Sequence, residues 1–249
     1  MKKRIDELLN QRLATFSEGS VVDAACMHAV QGGGRVRPRI IYTIASSLES
    51  PWPVDAAALC IELLHCASLI ADDLPCMDDD ATRRGRPTCH IAFGQEVALL
   101  ASYKLVAIAY HALSEAAPLL PLERHLLGLK LLSKRSAQMI DGQLNDLRSK
   151  VDESAPKTTA LFQAAFSLGW IYSGGALHQL QSVEKAAFLF GTAFQIADDL
   201  SDGDATALGN FTHSLFQAKE ELKKIGLLTL EMANLLSHLE NSYRAAGSS

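Results

Sequence analysis

Apolar residues recur at intervals of three and four along most of this 249-residue chain, the period of amphipathic helices. Ile5, Leu8, Leu9 and Leu13 share one side of a helix predicted over 5–16. Further helices are predicted over 21–30, 40–48, 54–73, 91–117, 122–146, 157–168 and 183–202, and 216–243 reads as a charged amphipathic helix or helix pair. No stretch alternates apolar and polar residues as a half-buried strand would. The breaks fall at Gly32-Gly33-Gly34, at Pro51-Trp52-Pro53, and at loops over 151–156 and 206–210. With no internal repeat, low-complexity segment or linker, residues 1–249 are expected to form one all-α domain, a helical bundle with its core at the centre.

Composition narrows this picture. Apolar residues make up 48% of the chain, and 28 acidic residues against 23 basic ones leave a net charge of -5. Nothing here suggests a nucleic-acid partner. The most apolar predicted helix is interrupted by Asp55, Glu62 and His65 and runs into Asp72. It reads as a buried helix, and no stable membrane insertion is expected. Met1-Lys2-Lys3-Arg4 leads into no apolar run of signal-peptide type. Cys26, Cys60, Cys66, Cys76 and Cys89 are odd in number and lack zinc-type spacing. A reducing, cytoplasmic setting is expected.

Charge is concentrated where the long helix ends. Asp72, Asp73, Asp78, Asp79 and Asp80 put five carboxylates into nine residues, and Arg83, Arg84 and Arg86 follow at once. Two such charges about 4 Å apart repel by roughly 4 kcal/mol at an effective dielectric of about 20, so converging carboxylates need solvent or a cation. Magnesium takes one or two carboxylates and leaves its other positions to water and phosphate. Arginine forks bind phosphate oxygens bidentately. On a straight helix Asp72 and Asp78 would point about 240° apart, but Pro75 should end or kink the helix and let Asp78 swing round. A solvated acidic loop is the plain alternative.

A second acidic element, Asp198-Asp199 with Asp202, favours the metal reading, because Asp198 and Asp202 at i, i+4 project from one helical face. Two aspartate clusters could clamp metal ions, and a diphosphate, between them. The Gly32-Gly33-Gly34 turn with Arg35 and Arg37 suits close approach to an anion, though it also suits an ordinary interhelical turn. His65, seven residues before Asp72 and on the same face, is either a core histidine or a ligand. Gln143 and Asp146 close one predicted helix with polar groups.

In these motifs the chain resembles the trans-isoprenyl diphosphate synthases, close to bacterial farnesyl and geranylgeranyl diphosphate synthases. Asp72-Asp73-Leu74-Pro75-Cys76-Met77-Asp78 looks like that family's first aspartate-rich motif, and Arg83-Arg84-Gly85-Arg86-Pro87-Thr88 follows at the family's distance. Gln143 with Asp146, Lys157-Thr158, and Phe194-Gln195 with Asp198, Asp199 and Asp202 match further motifs in order. The resemblance implies the isoprenoid synthase fold and the joining of an allylic diphosphate to isopentenyl diphosphate, in a homodimer. It implies that Asp72, Asp73, Asp78, Asp198, Asp199 and Asp202 place three Mg2+ ions on the allylic diphosphate, helped by Arg83 and Lys157. Lys157, Thr158 and Gln195 would border the carbocation, while Arg35, His65 and Arg84 would hold isopentenyl diphosphate.

Three positions depart from the family pattern: Gly34 stands where it has lysine, Ala71 where it has histidine, and 203–216 holds no lysine. A non-catalytic subunit that modifies a synthase partner would tolerate those losses, but gives no reason to keep both aspartate clusters. A terpene cyclase would need no isopentenyl site. One turn below Asp72, Ser68 and Ala67 are small, with Leu64 and His65 a further turn down. The expected product is therefore C20 geranylgeranyl diphosphate in preference to C15.

Overall fold

The computed structural model describes residues 1–148, 155–201 and 211–246. The described residues are almost entirely helical, and the chain divides into two compact units. One comprises Met1–Arg39 with Pro53–Leu120, the other Ile40–Trp52 with Pro121–Ser249.

In the first unit lie α1 (Lys2–Thr15), α2 (Val21–Ala29), α4 (Asp55–Asp72), α5 (Cys89–Phe93) and α6 (Gln95–Ser114), with the opening turn of α3 (Val36–Ser47). Ser20 caps α2 through a reciprocal bond with Asp23, satisfying two donors that the first turn leaves open. The Asp23 carboxylate also takes Lys104 and the Glu18 amide. The bond from Lys104, foremost, holds its pKa well below the ordinary carboxylate range. Helix α4 is buried almost all round, from Ala57 to Ile70, and packs on the alanine-rich face of α6 formed by Ala98, Ala101, Ala109 and Ala112. Small side chains let the two backbones approach, and Ser102 on α6 donates its hydroxyl to the Ala67 carbonyl at 2.9 Å.

Helix α4 stops at Asp72, three residues before Pro75, whose missing N–H and ring forbid continuation. The chain then folds back. The Asp78 amide donates to the Asp72 carbonyl at 2.9 Å, and the Met77 and Asp79 amides both bond the Leu74 carbonyl. A hairpin that the absence of strand alternation had not suggested follows: β1 (Thr82–Arg83) pairs antiparallel with β2 (Arg86–Pro87). Two-residue strands are too short to carry a period. The turn residues Arg84 (φ 55°) and Gly85 (φ 72°) both have positive φ, as a type I′ turn demands. The expected helix over 91–117 is broken into α5 and α6 at Gly94, whose φ of 91° is open to glycine.

The second unit holds most of α3, then α7 (Leu122–Arg148), α8 (Ala155–Tyr172), α9 (Leu180–Ser201), α10 (Phe211–Lys224) and α11 (Leu230–Ala246). Helix α3 begins earlier than expected, at Val36, because Pro38 falls within its first turn, where a missing N–H costs nothing. An aromatic cluster of Phe162, Phe166, Phe190 and Phe194 joins α8 to α9, with ring centroids 4.9–5.5 Å apart. The C-terminal segment resolves into a helix pair. Its break is a Schellman turn, with Gly226 at φ 73°, the Gly226 amide on the Lys223 carbonyl and the Leu227 amide on that of Leu222.

Candidate active site

The acidic end of α4 and the arginine hairpin belong to the first unit. Asp72 and Asp73 are both buried, at 6% and 4% exposure, although a carboxylate loses solvation on burial and needs a counter-charge. For Asp73 the counter-charge is Arg83, whose Nε donates to Oδ1 at 2.6 Å while its Nη2 reaches Asp80 at 3.0 Å. Burial pushes the Asp73 pKa up more than Arg83 draws it down. The carboxylate therefore gains from any further cation that arrives. Asp78 is exposed, and its backbone bond to Asp72 returns it to the α4 terminus, as expected of a chain turned by Pro75.

Arg83, Arg84 and Arg86 leave the hairpin in three directions. Arg84 lies flat over the glycine turn and donates from Nη1 to the carbonyls of Gln31 (3.2 Å) and Gly32 (3.3 Å). A Cβ on Gly33 would come within 2.6 Å of the Arg84 guanidinium carbon, so the turn must be glycine for the arginine to lie there. Arg86 donates from Nη2 to His28 Nδ1 at 2.9 Å. Together with His28 and Gln31, the three arginines line a cleft floored by Cys66, Leu69, Ile70 and Cys89.

Beside them Arg37 Nη1 approaches His65 Nε2 at 3.2 Å. Guanidinium can only donate, so that nitrogen carries a lone pair and the ring is neutral. Burial first, then the positive charges of Arg37, Arg84, Arg83 and Arg35, hold the His65 pKa well below its ordinary value. A histidine in a field of arginines marks a place suited to an anion.

Arg35 is not placed for the role given to it. Its φ of 53° turns it inward, it is 3% exposed, and all three of its nitrogens are engaged. Nε donates to Asp6 at 2.8 Å, Nη1 to the buried Glu62 at 2.6 Å and Nη2 to the Val30 carbonyl. The arginine two residues on, Arg37, stands with His65 instead. Both arginines are visible in the turn motif and both are buried; what engages Arg35 is Glu62, 27 positions away.

In the second unit, Thr158 on α8 donates its hydroxyl to Gln195 Oε1 on α9. Gly191 makes that pairing possible, because a Cβ there would sit 3.0 Å from the Thr159 α-carbon. Gln143 on α7 is buried at 9% exposure with neither amide atom hydrogen-bonded among the described residues, an uncompensated state that a ligand would relieve. Lys157 lies in the first turn of α8 and Asp199 within α9. Asp198 is exposed on α9, and Asp202 lies outside the described residues.

The acidic side chains are hard oxygen donors, the chemistry magnesium selects. Among the described residues no three metal-binding side chains converge on one point. Magnesium held by one or two carboxylates, with phosphate and water completing its shell, needs no such convergence. Asp72, Asp73 and Asp78 fit that habit.

A family model described as polyprenyl synthetase matches residues 20–210. The geranylgeranyl diphosphate synthase of Cereibacter sphaeroides is 38% identical over 188 residues, covering 72% of this chain and 64% of its own length. The farnesyl diphosphate synthase of Escherichia coli is 35% identical over 226 residues, 83% of this chain and 75% of that enzyme. Among solved structures, a geranyltransferase from Legionella pneumophila superposes with a TM-score of 0.86 at 27% identity, over 96% of this chain and 94% of the other.

Proposed function

The chain belongs to the polyprenyl synthetase family, and from that premise we propose that it is a prenyltransferase joining isopentenyl diphosphate to an allylic diphosphate to make a short-chain isoprenyl diphosphate. The observation that carries the proposal is the pairing, within one unit, of the buried Asp72-Asp73 terminus with a three-arginine cleft beside His65.

In the reaction the allylic C–O bond breaks and its electron pair leaves with the diphosphate. The double bond of isopentenyl diphosphate then attacks the cation, and the proton lost afterwards passes to the departed diphosphate. By resemblance to the family, Asp72, Asp73 and Asp78, and likewise Asp198, Asp199 and Asp202, would hold the metal, three Mg2+ ions being expected with the diphosphate bound. Bound there, magnesium neutralises charge developing on the leaving group. Arg83, already beside Asp73, and Lys157 add cationic donors for the same group. The Thr158 and Gln195 oxygens offer the carbocation oriented dipoles, fixed by their mutual hydrogen bond. Arg37, His65 and Arg84 grip the second diphosphate, with Arg37 in the place first given to Arg35.

Small side chains at Ala67 and Ser68, one turn below Asp72, support a C20 product over C15, as do relatives named geranylgeranyl diphosphate synthase. Leu99, Leu100 and Tyr103 expose 40%, 53% and 64% of their surface on α6, an apolar stripe that supports a homodimer. Residues 95–119, which contain α6, are the only described stretch apolar and long enough to cross a membrane; burial against a second copy accounts for the stripe without a bilayer. Five cysteines, none disulfide-bonded, support a cytoplasmic setting.

The test is incorporation of radiolabelled isopentenyl diphosphate by purified protein with magnesium and geranyl or farnesyl diphosphate as primer. Extractable prenyl product is expected. No product from any primer would leave the chain a non-catalytic partner of another synthase.

A further inference from the structure

Two of the hairpin guanidiniums, on Arg84 and Arg86, have no ion-pair partner among the described residues, although both line the cleft. Arg83 is different, being spent on Asp73 and Asp80. Among the described residues Arg84 is tethered only through Nη1 to two backbone carbonyls. Arg86 is tethered to one residue, His28, by Nη2 to Nδ1 at 2.9 Å and by Nη1 to the backbone carbonyl at 3.5 Å.

The tautomer of His28 follows from its partners. Its Nε2 lies 2.8 Å from the Pro87 carbonyl, which can only accept, so Nε2 carries the hydrogen. Nδ1 is then a lone pair facing Arg86. The ring is fixed further by an edge contact with Phe93, centroids 5.4 Å apart. His28 thus clasps both ends of β2 and presents Arg86 to the cleft through a neutral acceptor, which gives up its hold on a guanidinium far more readily than a carboxylate does.

The glycine turn that follows Gln31, itself a lining residue of the cleft, offers backbone only. Gly33 is covered by Arg84, and Gly34 bears no side chain at a position where the turn leaves room for one, a Cβ meeting nothing nearer than Val36 Cγ2 at 3.4 Å. The cationic contribution to this cleft is therefore concentrated on the hairpin.

We propose that Arg86, positioned by His28, is a binding residue for the diphosphate of isopentenyl diphosphate and supplies the cation that Gly34 does not. The inference rests on the function proposed above, and deepens it by assigning two residues, His28 and Arg86, to the second-substrate site. Arg84 and Arg86 both bring N–H donors to the lining of this one cleft, and Arg86 exchanges a neutral nitrogen for an anionic oxygen when the ligand arrives.

The probe is inorganic pyrophosphate, titrated calorimetrically into the full chain in chelator-treated buffer without divalent metal. Under those conditions the bare aspartates repel the anion, so binding reports on the arginines. Loss of a charged hydrogen bond is expected to raise Kd about tenfold in Arg86→Ala. Gly34→Lys in the Arg86→Ala background should recover most of that loss. His28→Leu should raise Kd about threefold alone and add nothing in the Arg86→Ala background, since it acts through Arg86. In turnover, Arg86→Ala should raise KM for isopentenyl diphosphate about tenfold, with kcat and the KM for the allylic diphosphate within about twofold of wild type. Circular dichroism establishes that each variant is folded.

Wild-type protein that binds no pyrophosphate, or a folded Arg86→Ala that binds it as wild type does, overturns the proposal. So does a His28 effect that persists undiminished without Arg86, which would make the histidine a purely structural clasp. Binding that depends on Arg86 in a protein without turnover would defeat the catalytic reading and leave this site standing. Full turnover with binding indifferent to Arg86 would do the reverse.

Discussion

Replacing Arg35 separates a structural arginine from a ligand-binding one. Its guanidinium is 3% exposed and faces Glu62, itself 1% exposed. Removing one partner of a buried ion pair strands the other charge and costs about 3 to 5 kcal/mol. The lost bonds to Asp6 and the Val30 carbonyl add to this. For a chain of this size each kcal/mol moves the midpoint by about 2 to 4 °C, so Arg35→Ala should lower Tm by about 6 to 20 °C. Replacing the whole pair, as Arg35→Met with Glu62→Leu, should restore most of the loss, since an apolar pair of similar volume avoids the desolvation of both charges. The companion Arg37→Ala should raise KM for isopentenyl diphosphate about tenfold or more, an effect that the double variant Arg35→Met, Glu62→Leu should not share. Thermal melts followed by circular dichroism, with Michaelis constants for both substrates, measure the two effects. An Arg35→Ala protein that melts like wild type while losing affinity for isopentenyl diphosphate would refute the reasoning and return the ligand role to Arg35.

Three further outcomes are expected. Burial and the arginine field depress the His65 pKa in the folded state, so below about pH 6.5 the unfolded chain binds the extra proton and stability falls with pH, by at most about 1.4 kcal/mol per unit; His65→Gln should flatten the Tm-against-pH curve between pH 7 and 5, and an unchanged slope would contradict the assignment. Asp72→Ala and Asp198→Ala should each remove at least about 3 kcal/mol of transition-state stabilisation, read as a loss of kcat/KM, with the fold intact by circular dichroism. Ala67→Phe should shorten the main product by one prenyl unit, at a stability cost of about 1 to 3 kcal/mol for overfilling a position now 2% exposed; chromatography of the dephosphorylated products shows it.

Local chemistry was legible in the sequence. The helical periods, the α4 terminus set by Pro75, the aspartate runs and the Thr158, Gln195 and His65 positions all follow from spacing and residue type within a turn or two, or from several motifs in order. Features decided by distant partners were not. Arg35 and Arg37 are chemically alike, two residues apart and both buried, and it is Glu62, Asp6 and the Val30 carbonyl that engage every nitrogen of the first. His28 reads as one more residue on α2 until the hairpin folds against it with Pro87 and Arg86. Gly94 breaks a continuous apolar pattern through its φ alone. A hairpin with two residues per strand leaves no periodic trace, although the Arg84-Gly85 turn that makes it carries a glycine at the position where one is needed.

The most direct test of the account is a single incubation of purified protein with magnesium, farnesyl diphosphate and radiolabelled isopentenyl diphosphate, run beside the same mixture with excess chelator. Labelled C20 geranylgeranyl diphosphate, absent from the chelated control, is the expected result. No labelled product with either farnesyl or geranyl diphosphate, or product formed equally in the chelator, would contradict a magnesium-dependent prenyltransferase.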